Sequence, residues 1–212
     1  MKDFPIFHTK FGVASVVLSQ IPYTGNGYIT IQDSLEPLKL IHECSDFCRA
    51  AGAISVYATG HSCLEQFPQH TSIILMRCLR EQLADTDAAL FPVQKETLER
   101  FRSIYNEGMR NVPNASYLTL ASADKVLKAG NGYFVHKGDR LLGIGIAGGE
   151  RIDAIVSLIP GCGKEVLLAL NHALSGPCAQ LEVATENIPA VRLYEKLGFV
   201  RNCELSRWFK IL

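Results

Sequence analysis

The stretch ENIPAVRLYEKLGFV, residues 186–200, decides the fold, because its parts predict a short helix between two strands. Asn187 and Pro189 are typical of a helix start, since an Asn side chain can cap free amides and Pro is tolerated in the first turn. Gly198 is typical of the residue that ends a helix. Packing alone would accept Val, Leu or Ile in place of Tyr194. We therefore expect Tyr194 to have a further role.

The segments before this stretch predict a strand, a glycine turn, a helix and a parallel strand. RIDAIVSLIP at 151–160 and QLEVAT at 180–185 are rich in β-branched and apolar residues, and the helix KEVLLALNHALSG lies between them. Gly161 and Gly163 precede that helix. A helix start that follows glycines presents free N–H groups to an anion, although glycines serve ordinary tight turns as well.

The N-terminal part of the chain resembles this arrangement. AISVYAT at 53–59 aligns with AQLEVAT at 179–185, an offset of 126 residues, and the same offset places YITIQ over AIVSL. Where the second copy has its glycine turn, the first has Leu-Glu-Pro-Leu at 35–38. Acidic residues and Pro offer fewer donors to a phosphate, so we expect only the second copy to bind an anion. Chance similarity between two strand–helix–strand units remains the alternative.

Two further regions complete the α/β pattern. Residues 95–109 place apolar side chains at helical spacing, and GYFVHKGDRLLGIGIAGG predicts a hairpin that turns at Gly138. The segment NASYLTLAS, residues 114–122, is interpreted as a loop and a strand.

Composition excludes several classes of function. Lys and Arg number 21 and Asp and Glu number 21, so no net charge favours a nucleic acid or a membrane surface. Neither partner is expected. The segment MKDFPIFHTK lacks the apolar core of a secretory signal, and the seven Cys have no disulfide-framework spacing. We therefore expect a cytoplasmic protein without a metal site.

The C-terminal half resembles the GNAT superfamily of acyl-CoA-dependent N-acetyltransferases over residues 88–212. The pattern Asn-x-x-Ala-x-x-Leu-Tyr-x-x-x-Gly-Phe stands at the end of a strand, as in that family. It is carried here by Asn187, Ala190, Leu193, Tyr194, Gly198 and Phe199. The resemblance implies an α/β fold, a GNAT-like mixed sheet flanked by helices. It also implies two units, a truncated tandem copy without a cofactor loop at 1–85 and the acetyltransferase domain at 88–212.

The resemblance also implies a cofactor site for acetyl-CoA, the acyl donor. The pantetheine arm would lie in a gap between two splayed strands and pair with the backbone of Ser157, Leu158 and Ile159. The pyrophosphate would lie on the amides of Gly161, Cys162, Gly163 and Lys164. Asn187 would hold the arm from the other strand, and Tyr194 would protonate the leaving thiolate. Members of this family often use a Glu or Asp near the splayed strands as the base, sometimes through water, and the candidates here are Glu150, Asp153 and Glu182.

One departure from the family pattern puts cofactor affinity in doubt. The usual phosphate loop begins with Arg or Gln, but that position falls on Leu158 and the loop is short, with Pro160 directly before Gly161. Lys164 is the residue that could compensate. The expected function is acetyl transfer from acetyl-CoA to a primary amine of a small molecule or peptide. The alternative is a CoA-binding or partner-binding module without turnover. The oligomeric state stays open, a homodimer included.

Overall fold

The computed structural model describes residues 5–212, so Met1 to Phe4, including the start of the predicted first unit, lie outside it. The contacts divide the chain into two compact units. Unit 1 contains the residues up to Ile73 and the C-terminal segment Glu204–Leu212, and unit 2 is Ile74–Cys203. The sequence predicted two consecutive units, 1–85 and 88–212, each formed by one continuous segment. The contacts instead assign the last strand residues to unit 1.

Unit 1 is a mostly antiparallel sheet packed on one long helix. Its strands lie in the order β1-β2-β3-β4-β11, and β3 and β4 are parallel. Its core lies between the sheet and α2, where Ile29, Ile31, Leu40 and Ile41 are buried. The elements are β1 (Ile6–Thr9), β2 (Gly12–Val17), α1 (Ile21–Thr24), β3 (Asn26–Ser34), α2 (Pro37–Ala50), β4 (Ser55–Thr59), the first part of β5 (Gln69–Leu79) and the last part of β11 (Val200–Lys210).

Unit 2 is a mixed sheet with helices on both faces. Its strands lie in the order β5-β10-β9-β8-β7-β6, with β9 and β10 parallel. Besides the rest of β5 and the start of β11, the elements are β6 (Ala89–Pro92), α3 (Leu98–Met109), α4 (Leu120–Ala129), β7 (Gly132–Lys137), β8 (Arg140–Gly148), β9 (Arg151–Ser157), α5 (Gly163–Asn171), β10 (Cys178–Ala184) and α6 (Ile188–Lys196).

The two faces of the unit 2 sheet have separate cores. On one face α5 buries Val166, Leu167 and Leu170, and these pack with residues of β10 such as Leu181 and Val183. On the other face the core contains Phe101 and Ala123 together with Phe134 and Ile144 of β7 and β8. Along β9, Ala154 and Val156 belong to this second core, whereas Ile152 belongs to the first core and the half-buried Ile155 packs against it.

The structure corrects the interpretation of residues 114–122. The segment contains no strand, and its end belongs to α4. Thr119 is the N-cap of this helix, and its side-chain oxygen accepts a hydrogen bond from the Ser122 amide at 3.2 Å. The alternation of Tyr, Leu, Thr and Leu favoured a strand, but the cap decides the local structure because it satisfies an amide that a helix start leaves free.

The predicted offset reappears in the positions of the elements. The helices α2 and α5 begin at Pro37 and Gly163, which are 126 residues apart. The strands that follow these two helices match at an offset that is one residue shorter. Val56 of β4 and Leu181 of β10 both lie in the core on the helix side of their sheets, and they are 125 residues apart.

No helix within residues 5–212 combines the length and the apolarity that a membrane span requires.

Arg80 stabilises unit 2 by binding the end of α5. Its guanidinium donates to the Asn171 carbonyl at 2.8 Å, to Asn171 Oδ1 at 2.9 Å and to the Gly176 carbonyl at 2.9 Å. Carbonyls at a helix C-terminus lack backbone partners and attract a cation.

We expect Arg80→Ala to lower the free energy of unfolding by about 3 kcal/mol, because several charge-assisted hydrogen bonds are lost together. Urea denaturation followed by circular dichroism measures this loss. The control is Arg77→Ala, near the end of the strand that precedes Arg80, since Arg77 is exposed. A change below about 0.5 kcal/mol is expected for it. Equal losses in the two variants would contradict the role of Arg80.

Candidate functional site

The strands β9 and β10 separate after a short paired start. Arg151 pairs with Gln180, and Ile152 pairs with Leu181. Beyond these, within the described part of the chain, no ladder pair joins residues 153–157 of β9 to residues 182–184 of β10. The two parallel strands therefore leave a gap between their carboxyl ends.

The corresponding strands of unit 1 stay together. There β3 and β4 are paired from Asn26 with Ser55 as far as Thr30 with Thr59. At the end of this pair, Gly60 has a φ of +102° and a Cβ there would lie 2.4 Å from the Ile31 carbonyl oxygen. The close backbone approach leaves no opening between these strands.

A β-bulge in β9 lies where the gap begins. Ile152 is opposite Ala147 and Ala154 is opposite Ile146, so Asp153 is an extra residue on β9. A bulge bends its strand and redirects side chains, and bulges are common beside active sites. The bulge therefore gives a local reason for the divergence of β9 from β10.

The backbone of β9 offers hydrogen-bonding groups to the gap. The Leu158 amide donates to the Leu142 carbonyl of β8 at 2.8 Å. Since successive amides of a strand point to opposite sides, the N–H and C=O groups of Ser157 and Ile155 point away from β8. Of the three residues predicted to pair with the pantetheine arm, Ser157 faces the gap and Leu158 does not. Ile155 was not predicted.

The start of α5 lies directly after β9. Gly161 has a φ of +85°, and no atom lies within 4 Å of the position a Cβ would take there. The amides of Gly163 and Lys164 are in the first turn, where a helix supplies no acceptors. The Cys162 amide donates to the Ile159 carbonyl at 3.1 Å. The loop is therefore open towards solvent, and Gly161, Gly163 and Lys164 present free amides more directly than Cys162.

Asn187 ends the loop after β10 and is the N-cap residue of α6, but its side chain does not cap the helix. The expected cap was wrong. Its backbone serves the helix instead, since the carbonyl accepts the Val191 amide at 3.0 Å. Within residues 5–212 the structure records no hydrogen bond of the side-chain amide, which is half-buried at the carboxyl end of β10.

Tyr194 lies on the buried face of α6. Its ring packs 5.9 Å from the Phe199 ring, between centroids, and only 9% of the residue is exposed. Burial raises the pKa of Tyr194 to about 12, because the phenolate would be poorly solvated. The structure records no hydrogen bond of its hydroxyl group to any described residue. The phenol is therefore neutral at physiological pH and free to donate.

Charged side chains meet where the gap begins. Arg151 donates to Glu182 Oε1 at 2.7 Å and to Asp153 Oδ1 at 3.3 Å. The Asp153 carboxylate also lies near Tyr105 of α3, whose phenol has its pKa raised by burial first and by this carboxylate second. Two of the three predicted base candidates, Asp153 and Glu182, are thus brought together around one guanidinium.

Glu150, the third candidate, lies apart from that group. Its Oε2 accepts a hydrogen bond from Gln180 Nε2 at 2.9 Å, and its carbonyl accepts the Gln180 amide at 2.8 Å. It precedes β9 in the turn from β8, at the paired end of the two strands. This position favours a structural role for Glu150, although its predicted catalytic role stays a prediction.

Gly108 brings the last turn of α3 against β9. A Cβ at this position would lie 2.3 Å from Val156 Cγ1. Gly108 is not among the residues that the sequence predicts for the site, although a glycine inside an otherwise helical pattern often marks a close approach. The contact places the end of α3 against β9, one of the two strands that border the gap.

We expect Gly108→Ala to destabilise the protein by about 1–3 kcal/mol, because the added methyl group forces α3 away from β9. Thermal unfolding measures the effect. Val156→Ala removes the methyl groups that the new Cβ would meet. Adding Gly108→Ala to Val156→Ala should therefore cost much less stability than Gly108→Ala costs in the parent. Additive losses in the double variant would contradict the steric explanation.

Within residues 5–212, no group of three or more His, Cys, Asp or Glu side chains is arranged to hold a metal ion.

Four features together define a class of fold: the strand order, the bulge in β9, the gap between β9 and β10, and a helix that follows glycines. The chain has the fold of the GNAT acetyltransferases.

Comparison with solved structures supports this assignment. A functionally unknown conserved protein from Staphylococcus epidermidis matches with a TM-score of 0.62 at 12% identity, over 99% of this chain and 94% of that one. A GCN5-related N-acetyltransferase from Anabaena variabilis matches with a TM-score of 0.61 at 13% identity, over 94% of this chain and 59% of that one. A GNAT-family acetyltransferase from Colwellia psychrerythraea gives 0.51 at 13% identity, over 97% and 84%.

No family model matches the sequence, and no curated protein matches it.

Proposed function

We propose that the protein is an N-acetyltransferase that moves an acetyl group from acetyl-CoA directly to a primary amine of a small molecule or peptide. The observation that carries the proposal is the early end of the β9–β10 pairing after Ile152 and Leu181. A gap between parallel strands exposes backbone groups along an extended slot, which suits the amide-bearing pantetheine arm.

Three features support cofactor binding around this gap. The free amides of Gly161, Gly163 and Lys164 suit a diphosphate, and Lys164 adds an exposed positive charge. Ser157 and Ile155 offer backbone partners along β9. The Asn187 side chain, which does not cap α6, can hydrogen-bond the pantetheine arm from the β10 side. A backbone N–H of β9 directed at the thioester carbonyl would stabilise the negative charge that develops during transfer.

Tyr194 and Asp153 are assigned the two proton-transfer roles. The neutral phenol of Tyr194, for which no hydrogen bond to residues 5–212 is recorded, donates a proton or hydrogen bond to the leaving thiolate. Asp153 lies at the bulge where the gap begins and is about half exposed, so it can reach an incoming amine or a water between them. Glu182 shares Arg151 with Asp153 and holds that guanidinium in place.

We expect Asp153→Asn to lower kcat by about 10- to 100-fold, because the amide cannot accept the proton that the amine loses. The KM for acetyl-CoA should change less than about threefold, since Asp153 is not assigned to cofactor binding. Steady-state thiol release measures both constants. Glu150→Gln is the matched control and should keep kcat. The reverse result would transfer the role of base to Glu150.

Unit 1 is proposed to be a copy that binds no cofactor. Its strands β3 and β4 remain paired through Thr30 and Thr59, and α2 begins with Pro37 after Glu36, where α5 begins with glycine. Pro removes an amide donor and the acidic side chain repels phosphate.

The alternative is a module that binds CoA without turnover, which the Leu158 position in the phosphate loop favours. Two measurements on the full chain distinguish the proposals. Thermal shift with CoA and acetyl-CoA tests binding, and release of free thiol with aliphatic amines, diamines and peptides tests turnover. Stabilisation with thiol release supports the acetyltransferase, and stabilisation without it supports the module. No stabilisation by either compound would overturn both.

A further inference from the structure

An open groove of about 320 Å³ lies at the outer edge of the unit 2 sheet. β6 ends the strand order of this unit, and β7 and β8 separate it from β9. Three strand spacings of about 4.8 Å place the groove about 14 Å from the gap. The lining residues come from β6, β7 and the approach to α3, and they are Phe91, Pro92, Gln94, Thr97, Arg100, Phe134 and His136.

The groove has flat apolar walls. The Phe91 side chain is exposed, with 53% of the residue accessible, and its ring lies 5.1 Å from the His136 ring in an edge-to-face arrangement. Phe134 is buried and is fixed by edge-to-face packing on Phe101, at 5.8 Å between centroids. Aromatic walls of this kind favour a planar ligand, because a flat ring can lie against them in an offset-stacked or edge-to-face arrangement.

The charge of the groove is positive. Arg100 is its charged residue, and its lining residues include no carboxylate. Glu99 is occupied by Arg102, with Oε1 at 2.6 Å from that guanidinium. Among the described residues, no ion pair of Arg100 is recorded. An exposed guanidinium beside an apolar wall suits a carboxylate, which it can bind with two parallel hydrogen bonds.

We propose that this groove is a binding site for a small aromatic carboxylate, separate from the acetyl-transfer site. The ring of the ligand lies against Phe91 and Phe134, and its carboxylate pairs with Arg100. The volume is at the lower end of the range for ligand sites and fits a single-ring compound. The proposal is independent of the acetyl-transfer reaction, since no residue of the groove is assigned to that reaction.

Titration of the full chain with benzoate, followed by amide NMR shifts, tests the proposal. Saturable shifts are expected at Phe91, Arg100 and His136, with a dissociation constant on the order of millimolar for so small a ligand. Benzamide, which lacks the charge, and acetate, which lacks the ring, should each bind at least tenfold more weakly.

Two variants separate a specific site from a general attraction to cations. Arg100→Gln should weaken benzoate binding at least tenfold. Arg110→Gln, at the other end of the same helix and also exposed, should leave it unchanged. A folded Arg100→Gln variant that binds benzoate within twofold of the parent would overturn the proposal. The same conclusion would follow if shifts at the groove did not saturate, or if acetate bound as tightly as benzoate.

Discussion

Tyr194→Phe is expected to lower the rate of acetyl transfer by about 100-fold while the affinity for acetyl-CoA changes less than about twofold. The substitution removes only the hydroxyl group. Because the structure records no hydrogen bond of that group to the described residues, the packing of the ring against Phe199 is retained and folding should be unaffected. The lost rate then reports the missing proton donor.

The pH profile gives an independent measurement of the same role. Since the pKa of Tyr194 is raised to about 12, the phenol stays protonated through pH 10 and should cause no alkaline loss of activity below that pH.

The matched control for Tyr194→Phe is Tyr133→Phe, which removes a hydroxyl from a partly buried Tyr packed against the same core. Unchanged turnover in Tyr194→Phe would remove this residue from the mechanism.

Lys164→Glu is expected to weaken CoA binding by about 10- to 30-fold, because a carboxylate in the first turn of α5 repels the diphosphate and an attractive charge is lost. Folding should not suffer. Acidic side chains are favourable in the first turn of a helix, so the variant should be as stable as the parent or slightly more stable. Isothermal titration with CoA and thermal unfolding measure the two quantities.

Unit 1 offers the matched control for this variant. Lys39 lies in the first turn of α2 and pairs with Glu36. Lys39→Glu makes the same charge change at the start of α2, the helix of unit 1 that corresponds to α5, and CoA affinity should remain within about twofold. Equal weakening by the two variants would show a general charge effect and contradict a diphosphate site at α5. Weakening should also diminish at high salt.

Much of the fold could be predicted from local sequence. The hairpin that turns at Gly138, the helix before Gly198 and the strands around them follow from periodicity and from residues that tolerate positive φ. The strand predicted within residues 114–122 was wrong, because alternation over a few residues resembles a strand even when Thr119 caps a helix. Short apolar patterns do not separate these two outcomes.

The candidate site could be predicted only in part. The glycine turn, Asn187 and Tyr194 carry a recognisable pattern. The glycine turn follows β9 and Asn187 follows β10, the two strands that separate, and the role of Tyr194 stays a prediction. The importance of Ile155, Arg151 and Gly108 could not be predicted, because a backbone direction, an ion pair and a close helix approach depend on which strands are neighbours. The side-chain cap assigned to Asn187 was wrong for a similar reason, since the backbone takes φ −79° and ψ 62° there and the side chain makes no capping hydrogen bond.

The sequence by itself determined the kind and order of the elements from β7 to α6. It also determined that α5 follows glycines whereas α2 begins with Pro, because these features depend on the conformational preferences of single residues. Only the tertiary structure decided that β9 and β10 separate while β3 and β4 stay paired. Only the tertiary structure decided that the last part of β11, from Glu204, belongs to unit 1. Strand pairing joins residues far apart in the chain, and its extent depends on the bulge at Asp153 and on packing against both faces of the sheet.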